Sequence, residues 1–218
     1  EGYFLHRHFP DGTVGSTWHL PPFIQIDQTA SIVSAVWHHF KRDGDLDVLL
    51  ELWPLVKKAA NFLENFVDER GLPLPSYDLW EEKKAVNSYS VAAVINGLER
   101  AERISEQLGK SRGRWRGASQ RMRTAMLETM WNAEKGCFVK SIDPLVETID
   151  ASTLLALKLG VLDPTDARAE QLVQTVESRR WVKSVGGVSR YEGDGEYAPG
   201  NQWTLCTLWL DAPQLRRD

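Results

Sequence analysis

Three carboxylates, Asp78, Glu81 and Glu82, fall within five residues near the end of the stretch Pro-Leu-Pro-Ser-Tyr-Asp-Leu-Trp-Glu-Glu at residues 73–82. Tyr77 and Trp80 stand among them. An apolar wall beside a carboxyl disfavours its ionised form and lifts its pKa. Such an acid holds its proton near neutral pH and can hand it to a leaving group. The same residues also fit a surface turn of solvated acids with one tryptophan plugging the core, and the local pattern leaves both readings open. A second concentration of charge and aromatic rings comes late in the chain, Val-Ser-Arg-Tyr-Glu-Gly-Asp-Gly-Glu-Tyr at residues 188–197. Arg190 there offers a planar fork of donors and a positive charge that keeps a neighbouring carboxylate ionised. An ordinary ion pair with Glu192 or Asp194 is the plainer alternative.

The elements that must carry these loops are helices. Pro73 and Pro75 force an extended path, because proline fixes φ and disfavours the α region in the residue before it. Upstream, Ile26, Ala30, Val33, Trp37 and Phe40 form one apolar stripe, which predicts a helix over about residues 24–40 stopped by Gly44. Gln25 and Asp27 stand at its opening, where polar groups are free to point into a cleft. A second helix starts near Asp45 or Asp47 and puts Leu49, Leu52, Trp53, Val56, Ala60, Leu63 and Phe66 on one face. Pro54 suits a restart of that helix, and Gly71 its end. Asn87 or Ser88 caps a third, with Val91, Ile95, Leu98, Ala101, Ile104 and Leu108 inward and Gly109 beyond.

Further helices are predicted over about residues 111–131, 152–159, 165–179, with Thr165 as cap, and 201–210. Residues 1–23 read as irregular and residues 132–139 as a turn around Gly136, with strand signals confined to the two loops. About seven helices thus follow one another as hairpins at roughly 40-residue spacing. This is an all-α pattern, whose antiparallel helix pairs stack into solenoids or close into toroids, with the two unusual loops at the cleft.

Composition narrows the function classes. The net charge of −4 argues against nucleic acid, which selects basic faces. Arg112, Arg114 and Arg116 read as a solvated helix start rather than a phosphate site. Cys137 and Cys206 are too few for a disulfide framework, and His6, His8 and His19 lack a ligand spacing, so neither metal nor cofactor is expected. No apolar run is long enough to cross a bilayer. Nine tryptophans is a high number, and tryptophan and tyrosine are also what sugar faces stack on. Trp203 and Trp209 lie on an apolar helix and read as core, while Trp18 fits either a cleft rim or a loop plug.

With both loops in view the chain resembles glycoside hydrolase family 15, the glucoamylases with their glucodextranase and trehalase relatives. Tyr77-Asp-Leu-Trp-Glu-Glu82 is similar to the family's acid motif. Arg190-Tyr191, followed by Asp194, Tyr197 and Gly200-Asn201-Gln-Trp203, is similar to its arginine–tyrosine loop, with Gln202 where the family usually has proline. Gln25-Ile-Asp27 and Trp53-Pro54 match in order and spacing. The resemblance implies part of an (α/α)6 barrel and an inverting hydrolase that releases glucose from chain ends. It implies Glu81 as the general acid, with Asp78, Trp80, Glu82 and Arg190 holding the terminal sugar or positioning the acid, and Tyr77, Gln25 and Asp27 as further substrate-binding positions.

An inverting enzyme also needs a carboxylate base roughly 6.5–9.5 Å from the acid, across the scissile bond. In the family that base follows the arginine–tyrosine loop and the next helix, and no base can be named among these residues. About seven helices are also too few to close such a barrel. Residues 1–218 are therefore expected to be one partial catalytic domain, inactive alone, whose N-terminal helices and base-bearing segment lie outside it. The expected substrate is an α-glucoside oligosaccharide or disaccharide. Trehalase action and a non-catalytic sugar-binding module are the alternatives, with the linkage and oligomeric state left open. The two cysteines resemble the prokaryotic members more than the disulfide-bearing secreted fungal ones, which implies a cytoplasmic protein.

Overall fold

A computed structural model describes residues 2–5, 7–15, 23–110, 113–194 and 201–211. Its long elements are α1 (Ile26–Asp43), α2 (Leu46–Asn65), α3 (Ser88–Gln107) and α4 (Arg114–Thr129). Shorter ones are α5 (Leu155–Lys158), α6 (Ala167–Arg180) and α7 (Thr204–Leu210). That makes seven α-helices among the described residues, plus a 3-10 turn at Ala151–Leu154 that leads into α5.

Helix α3 is the axis of the packing and touches α1, α2, α4 and α5. Its first half is buried almost all round, from Ser88 to Leu98. Gly97 permits this: a Cβ there would lie 3.0 Å from both Cα and Cβ of Ala30 on α1, tighter than ordinary contact. Asn96, buried at the same level, donates to the Leu159 carbonyl at 3.0 Å and accepts from Ser34 at 2.8 Å, so its polarity is satisfied. The core otherwise is aliphatic, with Ile26, Leu63, Ile95, Leu98, Met122 and Leu154 wholly buried.

Local signals explain the helix ends. Asp45 accepts from the N–H groups of Asp47 and Val48 and starts α2, and Gly44 closes α1 in the left-handed conformation. Buried Glu102 of α3 accepts from the N–H groups of Gly113, Trp115 and Arg116, tying the first turn of α4 to its neighbour.

Three local expectations are corrected. Helix α2 runs unbroken through Pro54. The burial of Val56, Ala59, Ala60 and Leu63 beyond it outweighs the one backbone bond that proline removes, a defect of about 3 kcal/mol. That helix stops at Asn65, before Gly71, because residues 66–74 turn back through a bridge between Val67 and Pro73. Asp166, not Thr165, caps α6 through the Arg168 N–H, while Thr165 is taken up by Asp163.

Short strands join the loops. Strands β1 (Ser76–Tyr77) and β2 (Lys84–Asn87) form an antiparallel hairpin with Ser76 opposite Ala85, and β5 (Ser141–Ile142) pairs antiparallel on the far side of β2. The turn around Gly136 is also a hairpin, β3 (Trp131–Asn132) against β4 (Cys137–Phe138). Pairing therefore extends beyond the two loops that carried the strand signals. The residues after β4 make an edge for the acid loop, which no local pattern in residues 137–142 announces.

Candidate active site

The acid stretch is the tip of the β1–β2 hairpin, and Asp78 builds it. The Asp78 N–H donates to the Lys83 carbonyl at 3.0 Å, closing the loop, and its own carbonyl accepts from the Glu81 N–H at 3.0 Å. Asp78 Oδ1 accepts from the N–H groups of Glu82 and Lys83 at 2.8 and 3.2 Å. Its Oδ2, buried and without a hydrogen bond, faces the Lys140 ammonium at 3.6 Å. Burial lifts the Asp78 carboxyl above its ordinary pKa, against the pull of those N–H groups and of Lys140.

The turn carries Glu81 at φ 60°, in the left-handed region. For a residue with a side chain this costs roughly 1–2 kcal/mol, and such strain gathers at functional sites. Glu81 projects its carboxylate toward solvent at 26 % exposure, where Arg7 reaches it at 3.3 Å.

The arginine–tyrosine loop meets Glu82 from the other side. Arg190, 5 % exposed, grips Asp194 through Nε and Nη2 at 2.8 and 2.9 Å. The same Nη2 donates to Glu82 Oε1 at 3.1 Å. The Tyr191 hydroxyl donates to Glu82 Oε2 at 2.5 Å. Burial works against the Arg190 charge, but the bonds to Asp194 and the field of Glu82 hold its pKa above the ordinary arginine value. Burial and the Glu82 carboxylate both push the Tyr191 phenol up. The guanidinium also lies 5.1 Å from the Trp80 ring and 5.3 Å from the Trp203 ring. Trp80 sits 6.3 Å from Trp203, the residue before α7, and 6.2 Å from Trp209 on it, so both rings are half-buried flanks of the acid loop rather than core.

The predicted residues divide into two groups. The structure brings Asp78, Trp80, Glu81, Glu82 and Arg190 into one cluster that joins the two loops. Gln25 and Asp27, expected to point into a cleft, are each 2 % exposed and lie behind the hairpin. The reason is local: β1 crosses the start of α1, where the Tyr77 N–H donates to the Ile24 carbonyl at 2.9 Å. Gln25 donates to the Asp78 carbonyl at 2.8 Å, and Asp27 accepts from the Ser90 hydroxyl at 2.6 Å. Burial raises the Asp27 carboxyl to about 6, Ser90 pulling the other way. Tyr77 stacks on Phe23 with centroids 4.3 Å apart. His6, Trp18, His19, Arg112, Glu196, Tyr197, Gly200 and the tail after Asp211 lie outside the described residues.

Two members of the cluster have no motif behind them. Asp150, 1 % exposed, accepts from the Trp80 indole N–H at 2.9 Å and from the Ser152 N–H at 2.8 Å. The Lys140 ammonium lies 3.5 Å from the same Asp150 oxygen. Lys140 stands in Cys-Phe-Val-Lys-Ser-Ile, a run that is buried throughout. A lone lysine inside an apolar run is the signal that could have found it.

The chain is thus an all-α scaffold carrying a strained acid turn, with an arginine clamp on the adjoining carboxylate. Comparison with known proteins places it more closely. The sequence profile of Glycosyl hydrolases family 15 matches residues 12–216, and the chain belongs to that family. An uncharacterized glycosyl hydrolase of Methanocaldococcus jannaschii is 31 % identical, over 96 % of this chain and 33 % of its own length. A solved structure described as a wild-type glycosidase superposes with a TM-score of 0.73 at 24 % identity, over 92 % of this chain and 50 % of the other. The glycoside hydrolase family 15 glucoamylase from Hypocrea jecorina gives a TM-score of 0.69 at 20 % identity, over 89 % and 35 %. The fold is thus part of an (α/α)6-type glycosidase architecture. The chain spans about a third of the length of the curated relative it matches.

Proposed function

We propose that this chain carries the acid half of an inverting, exo-acting α-glucosidase site of the glucoamylase kind. The observation that carries the reading is the joint grip of Arg190 and Tyr191 on Glu82, one residue from a Glu81 held at φ 60°. That grip fixes Glu82 to the arginine–tyrosine loop, while Glu81, on the turn beside it, meets Arg7 at 3.3 Å. Glu81 delivers the proton to the glycosidic oxygen. Glu82 and Arg190 bind hydroxyls of the terminal sugar, and Trp80 supplies an apolar wall against its ring. Asp78 and Gln25 hold the hairpin from behind, Asp27 ties the start of α1 to Ser90 of α3, and Tyr77 anchors the first strand of the hairpin. A base across the bond, roughly 6.5–9.5 Å away, comes from outside residues 1–218, so those residues alone do not turn over a glucoside.

The test uses the full-length protein with maltose, isomaltose and trehalose for turnover, and follows by NMR the anomer of the glucose cleaved from the non-reducing end of maltotriose, whose other product is maltose. β-Glucose as first product, lost in the Glu81→Gln variant by a factor of about 10² or more, is the expected result. α-Glucose as first product, or a variant with more than about a tenth of the wild-type kcat, contradicts it.

A further inference from the structure

Lys140 is a buried cation that none of the roles above uses. Its backbone is clamped, because the Ser88 N–H donates to the Lys140 carbonyl at 3.0 Å and the Ser88 hydroxyl to the Val139 carbonyl at 2.6 Å. Its ammonium lies 3.6 Å from Asp78 Oδ2, 3.5 Å from Asp150 Oδ2 and 3.5 Å from the centroid of the Tyr191 ring. Those three belong to three separate segments: the acid hairpin, the 3-10 turn before α5, and the arginine–tyrosine loop. Each is one bond from a site residue. Asp78 organises the turn that carries Glu81, Asp150 holds the Trp80 indole, and Tyr191 holds Glu82.

We propose that Lys140 is a positioning residue whose ammonium locks these three segments together and so fixes where Glu81, Trp80 and Glu82 stand. The inference rests on the catalytic reading above for its effect on turnover, but not for the lock itself. Two buried carboxylates that approach one cation from different segments repel each other once it is removed. Tyr191 at the same time loses the charge against its ring face. Other charged groups facing the cluster are Asp27 and Tyr89 from the helices behind it, and Arg180 on α6. Glu82, Lys83, Arg190, Glu192 and Asp194 face it from the two loops, and the Cys206 thiol from α7. Among these, Lys140 is the one cation within 4 Å of both Asp78 and Asp150.

The lock is tested without turnover through the near-UV circular dichroism of Trp80, obtained as the difference between each protein and its Trp80→Phe counterpart. Full-length wild type, Lys140→Arg, Lys140→Met and the charge-balanced Lys140→Met/Asp150→Asn double variant are titrated with acid. Removing the cation lets Asp78 take up its proton at a higher pH, so the Trp80 signal in Lys140→Met is expected to change about one to three pH units above wild type. The arginine variant and the double variant stay within about half a unit of wild type, since each keeps Asp78 from facing a second carboxylate unscreened. In kinetics, Lys140→Met loses about tenfold or more in kcat and raises KM as Trp80 and Glu82 shift, and arginine recovers most of both.

An unshifted Trp80 titration in Lys140→Met overturns the lock. A shifted titration with unchanged kcat overturns the positioning role. If Glu81→Gln keeps its activity while the Lys140→Met titration shifts, the lock stands and the catalytic reading falls. Should Lys140→Met fail to fold, the double variant decides: a titration more than about one unit from wild type overturns the lock.

Discussion

Replacing Arg190 with lysine isolates what the guanidinium fork does at constant charge. Arg190 spans two carboxylates at once, Asp194 through Nε and Nη2 and Glu82 through Nη2, at 2.8, 2.9 and 3.1 Å. A lysine ammonium reaches one of them at a time, and it does not spread its charge within 5.1 Å of the Trp80 ring and 5.3 Å of the Trp203 ring as the guanidinium does. Charge-assisted hydrogen bonds contribute about 1.5–3 kcal/mol each, so the loss of two comes to about 3–6 kcal/mol. The Glu82 side chain is 22 % exposed and keeps its bond from Tyr191, so water and the phenol recover part of that. A net loss of about 2–3 kcal/mol remains, or roughly 30- to 150-fold in kcat/KM at 1.4 kcal/mol per decade. Steady-state glucose release by the full-length Arg190→Lys variant, checked for folding by circular dichroism, measures it. Both KM and kcat are expected to worsen, because the proposed site has Glu82 and Arg190 facing the sugar before and during the reaction. A kcat/KM within about threefold of wild type refutes the reasoning and returns Arg190 to a plain ion pair with Asp194.

Asp27 gives a stability signature. Its folded pKa of about 6 lies above the ordinary aspartate value of 3.8, so the folded state holds the proton more tightly. Stability is then complete at pH values below the unfolded pKa and is lost as pH rises through about 6. Two units at 1.36 kcal/mol each set an upper figure of about 3 kcal/mol. Asp27→Asn, which can still accept from Ser90, is expected to gain on wild type in urea unfolding at pH 7.5 and not at pH 4. A difference that does not change with pH contradicts this. Gly97→Ala would set a methyl 3.0 Å from Ala30 between two buried helices. Overpacking of about 1–3 kcal/mol exceeds the gain in helix propensity, so Tm falls by about 2–6 °C. A Tm at or above wild type rules out the close α1–α3 contact.

The helices were legible because their apolar residues recur with helical period and because Gly44 and Asp45 mark their ends locally. Asn87 stands at the N-cap of α3, but its amide donates to Ser76 and Ala85 in the hairpin rather than capping the helix. Every helix predicted from a stripe is present within a few residues. The misreadings at Pro54, Gly71 and Thr165 are places where packing or a neighbouring side chain decided between two local options. Asp78, Trp80, Glu81, Glu82 and Arg190 could be singled out because aromatic and charged residues crowd two non-helical loops. Lys140 left one faint signal, a lone lysine in an apolar run, and Asp150 left none, since each owes its place in the cluster to strand pairing and helix contacts between distant segments. Their neighbours in sequence are apolar or turn-forming and carry no period of their own. The same long-range contact misplaced Gln25 and Asp27: a helix start reads as open until a strand is laid across it.

The central claim is that Glu81 gives a proton to the leaving group, and the dependence of its loss on leaving-group basicity tests this most directly. An alkoxide leaving from maltose needs that proton, whereas a dinitrophenolate departs without it. In the full-length protein, Glu81→Gln is expected to lower kcat on maltose by about 10²–10⁴ and on 2,4-dinitrophenyl α-glucoside by less than about tenfold. Equal losses on both substrates, or none on maltose, contradict the assignment.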